Sequence, residues 1–172
     1  MICPACGSSN LPGVDRCIEC LSPFSKLDIP LPTVGLQKRL MEDTVAALKP
    51  RSAITVSSET PVHQSIQLLK DKGVGCVLVM DGEHLVGIFS ERDVLYKMIG
   101  KEYLFQTTQI NKVMTLHPVT LNLDDSIRFA LHQMSVGGFR HIPILSPKQP
   151  LKIISARDVL GYICQLTNPT AS

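Results

Sequence analysis

The 172-residue chain lacks most of the features that announce a partner or a reaction. It has no block of about five or six like charges and a formal net charge of only +2, so neither a nucleic-acid tail nor a membrane-binding basic patch is indicated. Lys38-Arg39 is only a pair. No apolar run approaches the ~18 residues that would span a bilayer, and Met1-Ile2-Cys3-Pro4 is not a basic segment followed by an apolar one. The expected address is cytoplasmic. A glycine-rich phosphate loop, HExxH and GxSxG are all missing. Paired carboxylates about a leaving group are missing too, because Asp124-Asp125 belongs at a helix cap, where acids are expected anyway. These absences argue against an enzyme.

What is present begins with cysteine. Of six cysteines, Cys76 and Cys164 stand alone in apolar stretches, whereas Cys3, Cys6, Cys17 and Cys20 form two CxxC knuckles separated by ten residues. Each knuckle aims two thiolates at one point, and four thiolates complete a tetrahedral site suited to zinc, with no position left open for catalysis. A redox dithiol would need a strand before it and a helix after it, but Ser8-Ser9-Asn10-Leu11-Pro12-Gly13 reads as a turn-rich loop. Gly7 follows the first knuckle, where the backbone must turn tightly, and Leu21 departs from that pattern after the second. Residues 3 to about 24 resemble the short zinc-ribbon family, and so small a unit should draw its folding energy from the metal. Residues 25–33 hold two prolines and no periodicity, which predicts an extended connector. Apolar residues at helical spacing then predict one helix from Leu36 to Lys49, ended by Pro50.

The remainder is a duplication. Residues 50–100 overlay 115–165 without a gap. Ile54-Thr55-Val56 falls on Val119-Thr120-Leu121, each a short strand, and Thr60-Pro61 falls on Asp125-Ser126, each read as a helix cap followed by the first helical residue. Val62, Ile66 and Leu69 align with Ile127, Leu131 and Met134 as one apolar stripe. Gly73 and Gly138 stop the two helices, and a second strand starts at Cys76 or His141. Asp81-Gly82 signals a hairpin, for which the second copy has the looser Ser146-Pro147-Lys148-Gln149-Pro150. Each third strand ends in a serine with Asp three residues on: Ser90 and Asp93, then Ser155 and Asp158. Taken singly, that pair is a helix cap. Its return at a fixed offset favours a shared function. The fold class is α+β, two strand-helix-strand-strand-helix units packed as a pair, with clefts between them near helix N-termini.

Over about residues 36–166 the chain resembles a pair of CBS domains, also called a Bateman module. The resemblance rests on the order of elements and on Gly87-Ile88-Phe89-Ser90-Glu91-Arg92-Asp93 in the first copy, with Ile153-Ile154-Ser155-Ala156-Arg157-Asp158 in the second. Gly138-Phe139-Arg140-His141-Ile142-Pro143 is similar to the family's second-strand signature. It implies a non-catalytic regulatory module that binds adenine nucleotides (AMP, ADP or ATP), or less often S-adenosylmethionine, in two related clefts. On that basis Asp93 and Asp158 accept from the ribose hydroxyls with Ser90 and Ser155 assisting, since bonds to a charged acceptor are the stronger class. Arg92, Arg157, Arg140 and His141 either face phosphates or are solvated surface groups, with a core histidine as a further alternative for His141. Ala53 to Thr55 and Val119 to Thr120 lie in the adenine-binding walls. The implied division is ribbon 1–24, linker 25–35, first repeat with its leading helix 36–105, and second repeat with tail 106–172.

The resemblance also implies a homodimer built on Val94, Leu95, Met98, Val159, Leu160 and Ile163, unless all six serve the monomer core. The Asp93 cleft, with Gly87 in its motif where the second copy has Lys152, is expected to bind more tightly than the Asp158 cleft. A contrasting expectation is a constitutive dimeric scaffold whose ribbon contacts a protein or nucleic acid. For nucleic acid the ribbon offers little, with Arg16 and Lys26 nearby and no stacking aromatics.

Overall fold

The segment leading into each repeat crosses to the other one. In the computed structural model, which describes residues 3, 5–11, 14, 16–23, 35–100, 103–145 and 151–167, α1 (Leu36–Glu42) stops at Asp43, whose backbone turns extended. The cause is tertiary pairing with the start of α4 (Ile127–Gly137). Thr44 bridges Ser126, the Ile127 amide donates to the Asp43 carbonyl at 3.0 Å, and the Val45 amide donates to the Asp125 carbonyl at 2.7 Å. The predicted single helix Leu36–Lys49 is therefore two pieces, α1 and a 3-10 turn, Val45–Leu48. The second copy does the same in the other direction. Gln109 bridges Pro61 at the start of α2 (Val62–Lys72), the Val62 amide donates to the Thr108 carbonyl, and a 3-10 turn follows at Ile110–Lys112.

A two-residue strand then completes each exchange. β1 (Arg51–Ser52) pairs antiparallel with β7 (Lys152–Ser155), giving the sheet β1-β7-β6 with β6 at His141–Ile144. β5 (Thr115–Leu116) pairs antiparallel with β4 (His84–Ser90), giving β2-β3-β4-β5 with β2 at Thr55–Ser57 and β3 at Cys76–Asp81. The strand expected at Val119–Leu121 reduces to a single parallel bridge, Leu121 to Ile144. Both cores follow the exchange. Val45 and Leu48 pack with Ile127, Ile142 and Ile154, whereas Ile110 and Val113 pack with Val62, Val77 and Phe89.

The periodic signals survive. Val62 and Leu69, like Ile127 and Met134, are buried on the inner faces of α2 and α4, each burial contributing about 1.5–3 kcal/mol. Gly73 and Gly138 take the left-handed conformation that ends each helix. Caps fall one residue later than predicted, at Pro61 and Ser126, and the Ser126 hydroxyl accepts from the Phe129 amide at 3.1 Å. After β4, α3 (Glu91–Asp93) widens into a π turn at Val94–Met98, while α5 (Ala156–Thr167) stays regular. Of the six residues proposed for a dimer face, Met98 and Val159 are core, Val94 and Ile163 are partly buried, and Leu95 and Leu160 remain exposed. The predicted linker at residues 25–33 and the loop at 146–150 lie outside the described residues. Among the described residues, no helix is long and apolar enough to cross a membrane.

Candidate functional site

The serine-aspartate pair is built identically in both repeats. The Ser90 amide and hydroxyl donate to Asp93 Oδ2 at 2.8 and 2.7 Å, and the Ser155 amide and hydroxyl donate to Asp158 Oδ2 at 2.7 and 2.7 Å. The capping box that the bare motif predicts is thus present at Ser90. The next amide is also used in each copy, Glu91 to the Gly75 carbonyl and Ala156 to the Arg140 carbonyl. What differs is the other carboxylate oxygen. Asp93 Oδ1 receives the Thr115 hydroxyl at 3.1 Å from the exchanged strand β5 and Lys97 Nζ at 2.7 Å from its own π turn. Asp158 Oδ1 faces Arg51, 3.2 Å away on the exchanged strand β1.

Burial pushes the Asp93 carboxyl up, but the bonds from Lys97 and from the Ser90 hydroxyl and amide together hold it below its usual range. It is ionised at neutral pH. Burial, reinforced by the positive charge of Arg140, lowers the His141 imidazole below 6.5. Its ring lies over Gly75, where an added Cβ would sit 2.7 Å from Nε2. Cys76, beside it, is pushed up to about 12 by burial and by the Asp93 and Glu91 charges.

A cavity of about 310 Å³ opens between the repeats. Ser90, Arg92, Asp93, Arg140 and His141, all singled out from the sequence, share its wall. Thr120 is not in that wall, and its neighbour Val119 is. Ile88, Thr115, His117 and Phe139 also line it and were not singled out as binding residues. Phe139 sat inside the quoted signature, whereas Thr115 carries no local signal because only the strand exchange brings it to Asp93. The Arg92 guanidinium donates to the Gly138 carbonyl and so ties the two repeats across the cavity.

The second cleft is not the mirror of the first. Thr55 lines a separate cavity of about 630 Å³ with Ala53, Met80 and Leu151, but Ser155, Arg157 and Asp158 do not. Arg157 is exposed. Gly87 also serves another purpose than the one expected of it. A Cβ there would run into Met114 Sδ and approach the Thr115 carbonyl oxygen to 3.1 Å, so this glycine admits β5 rather than a ligand. Lys152 is not part of either cavity wall.

At the N-terminus the sulfurs of Cys3, Cys6, Cys17 and Cys20 lie within 4.8 Å of one another and could hold a metal. Both knuckles have one backbone geometry. The Gly7 amide donates to the Cys3 carbonyl at 2.8 Å and the Leu21 amide to the Cys17 carbonyl at 3.0 Å, with Gly7 and Leu21 both at positive φ. Burial resists ionisation of Cys17, but the Cys20 and Glu19 amides, the Ser8 hydroxyl and the Asn10 amide group bring its thiol down to about 5. The cluster sits on α4, where Phe129 packs against it and His132 Nε2 lies 2.8 Å from the Cys20 carbonyl oxygen.

Comparison with known proteins places this geometry. The CBS domain family profile matches residues 45–100 and 110–165. A CBS domain-containing protein of Arabidopsis thaliana, CBSCBSPB5, is 30% identical over 124 residues, 72% of this chain and 23% of that protein. The chain spans under a quarter of the length of the Arabidopsis relatives it matches. Among solved structures, a CBS-domain containing protein of Agrobacterium tumefaciens superposes with a TM-score of 0.62 at 25% identity, covering 69% of this chain and 94% of that one. CBSX2, solved in complex with AMP, superposes with a TM-score of 0.59 at 24% identity, covering 73% and 98%.

Proposed function

As the chain belongs to the CBS-domain family, we propose that it is a non-catalytic regulatory module that senses an adenine nucleotide in the cavity beside Asp93. One observation carries the reading: an ionised carboxylate, an apolar wall and two arginines converge on a single cavity between the repeats. Asp93 and Ser90 suit a ribose diol, Ile88, Val119 and Phe139 suit a planar base, and Arg92 and Arg140 suit a phosphate group. In CBSX2, a protein of the same fold, the ligand is AMP, which is the reason to begin there. A thermal-shift series with AMP, ADP, ATP and S-adenosylmethionine tests it. A ligand at ~100 times its dissociation constant should add ~2.7 kcal/mol to stability. No shift with any of the four would overturn the reading.

The ribbon is read as a structural zinc site. Four thiolates on zinc at about 2.3 Å require sulfurs about 3.8 Å apart, and Cys3 to Cys20 at 3.6 Å and Cys6 to Cys17 at 3.5 Å fit that requirement. Its seat on Phe129 and His132 of α4, the helix whose last residue and C-cap, Gly137 and Gly138, line the Asp93 cavity, supports a route from ligand to ribbon. Native mass spectrometry should find one zinc per chain, lost with Cys3→Ser and Cys6→Ser. An ordered ribbon without metal would contradict the assignment. Exposed Leu95 and Leu160 support a homodimer as the signalling form. Light scattering that finds a monomer at tens of micromolar, with and without AMP, would remove it.

A further inference from the structure

We propose that Lys97 is a built-in competitor for the ribose-binding carboxylate and thereby sets the affinity of the Asp93 cleft. The proposal rests on the nucleotide reading of that cleft.

An ionised carboxylate has about four acceptor positions, two on each oxygen. Asp93 fills all four from within the chain: the Ser90 amide and hydroxyl on Oδ2, the Thr115 hydroxyl and Lys97 Nζ on Oδ1. Each ribose hydroxyl needs one of them, so a nucleotide cannot engage Asp93 until a resident donor leaves. The Ser90 pair is local and helps start the helix, and Thr115 is held by β5. Lys97 is the donor on the longest flexible stem, and its side chain is 36% exposed where that of Asp93 is 9%. Its ammonium also reaches Thr115 Oγ1 at 2.9 Å, so one side chain closes over both remaining members of the site.

A cation supplied by the carboxylate's own helix belongs to the first repeat alone, since Asp158 meets Arg51 from the exchanged strand instead. Lys97 lies in the π turn Val94–Met98, a type of irregularity frequent at functional sites. The matching position of the regular helix α5 is Tyr162, whose hydroxyl donates to Asp43 instead and leaves Asp158 alone.

Calorimetry with AMP on the full chain tests this. Lys97→Met keeps most of the stem and removes the ammonium, so AMP should bind roughly 3- to 10-fold more tightly, the range for losing a half-exposed charged bond. Lys97→Arg keeps a cation on the carboxylate and should stay within about threefold of wild type. If wild type binds AMP and Lys97→Met binds it equally or more weakly, Lys97 is no competitor and the proposal falls while the nucleotide reading stands. If neither protein binds AMP, ADP, ATP or S-adenosylmethionine, both fall together. Melting temperatures of the variants show that each is folded before titration.

Discussion

Asp93 and Asp158 hold the same place in two copies of one motif and grip the preceding serine alike, yet different cations answer them. Asp93 is buried and meets a lysine of its own helix, with a threonine from the exchanged strand. Asp158 is more exposed and meets Arg51, which the other exchanged strand carries across. Local sequence set the serine-aspartate geometry, which is why it repeats. The exchanged strands and the residue four places after each aspartate set the rest, which is why the two clefts diverged: one is a walled cavity with apolar and cationic faces, and the other has its carboxylate held by a guanidinium.

The comparison can be broken first at the exchanged strands. Gly87→Ala would drive a methyl group into Met114 and toward the Thr115 carbonyl oxygen, whereas the matching position in the second repeat is Lys152, paired with Ser52 of β1. Chemical denaturation should show Gly87→Ala losing ~1–3 kcal/mol, the usual cost of overpacking, and Lys152→Ala within about 0.5 kcal/mol of wild type. Equal losses would mean that β5 does not depend on this glycine.

A pH series sharpens the contrast between His141 and its counterpart Cys76. Because burial and Arg140 depress the folded-state value of His141 below 6.5, the unfolded chain takes up the proton first on acidification. Its contribution to stability is therefore fully present above the unfolded value and lost as pH falls toward the folded one. Cys76, pushed up to about 12, does not titrate in that window. Between about pH 7.5 and pH 5.5 the melting temperature of His141→Asn should fall less than that of wild type. Parallel curves would count against a buried neutral imidazole. A small effect is expected from Arg51→Ala. The Arg51–Asp158 pair has one partner mostly exposed, so its loss should change stability by no more than ~1 kcal/mol in denaturation. A larger loss would mean that Arg51 is holding β1 on β7.

The sequence made the duplication legible because its carriers are local and periodic. The apolar stripes of α2 and α4, the glycine stops, the Asp81-Gly82 hairpin and the serine-aspartate caps each follow from short-range chemistry. Five residues of the cavity were legible for the same reason, since motifs deliver Ser90, Arg92, Asp93, Arg140 and His141. The rest depended on long-range pairing. β1 and β5 are two residues long and exposed, too short to show a period, and without them neither Thr115 on Asp93 nor Arg51 on Asp158 is foreseeable. The leading helix looked continuous to Lys49 because nothing local breaks it at Asp43. The cause is the start of α4, together with Tyr162, which donates to the Asp43 carboxylate. Gly87 was noticed for the right property, room for close approach, but the approaching group is Met114 rather than a ligand.

The inequality of the two clefts is tested most directly by calorimetry with AMP on Asp93→Ala and Asp158→Ala in separate proteins. Removing a carboxylate that bonds a ribose costs ~1.5–3 kcal/mol, or roughly ten- to a hundredfold in affinity. That loss is predicted for Asp93→Ala, while Asp158→Ala should remain within about threefold of wild type. Equal losses, or a larger loss from Asp158→Ala, would contradict the account.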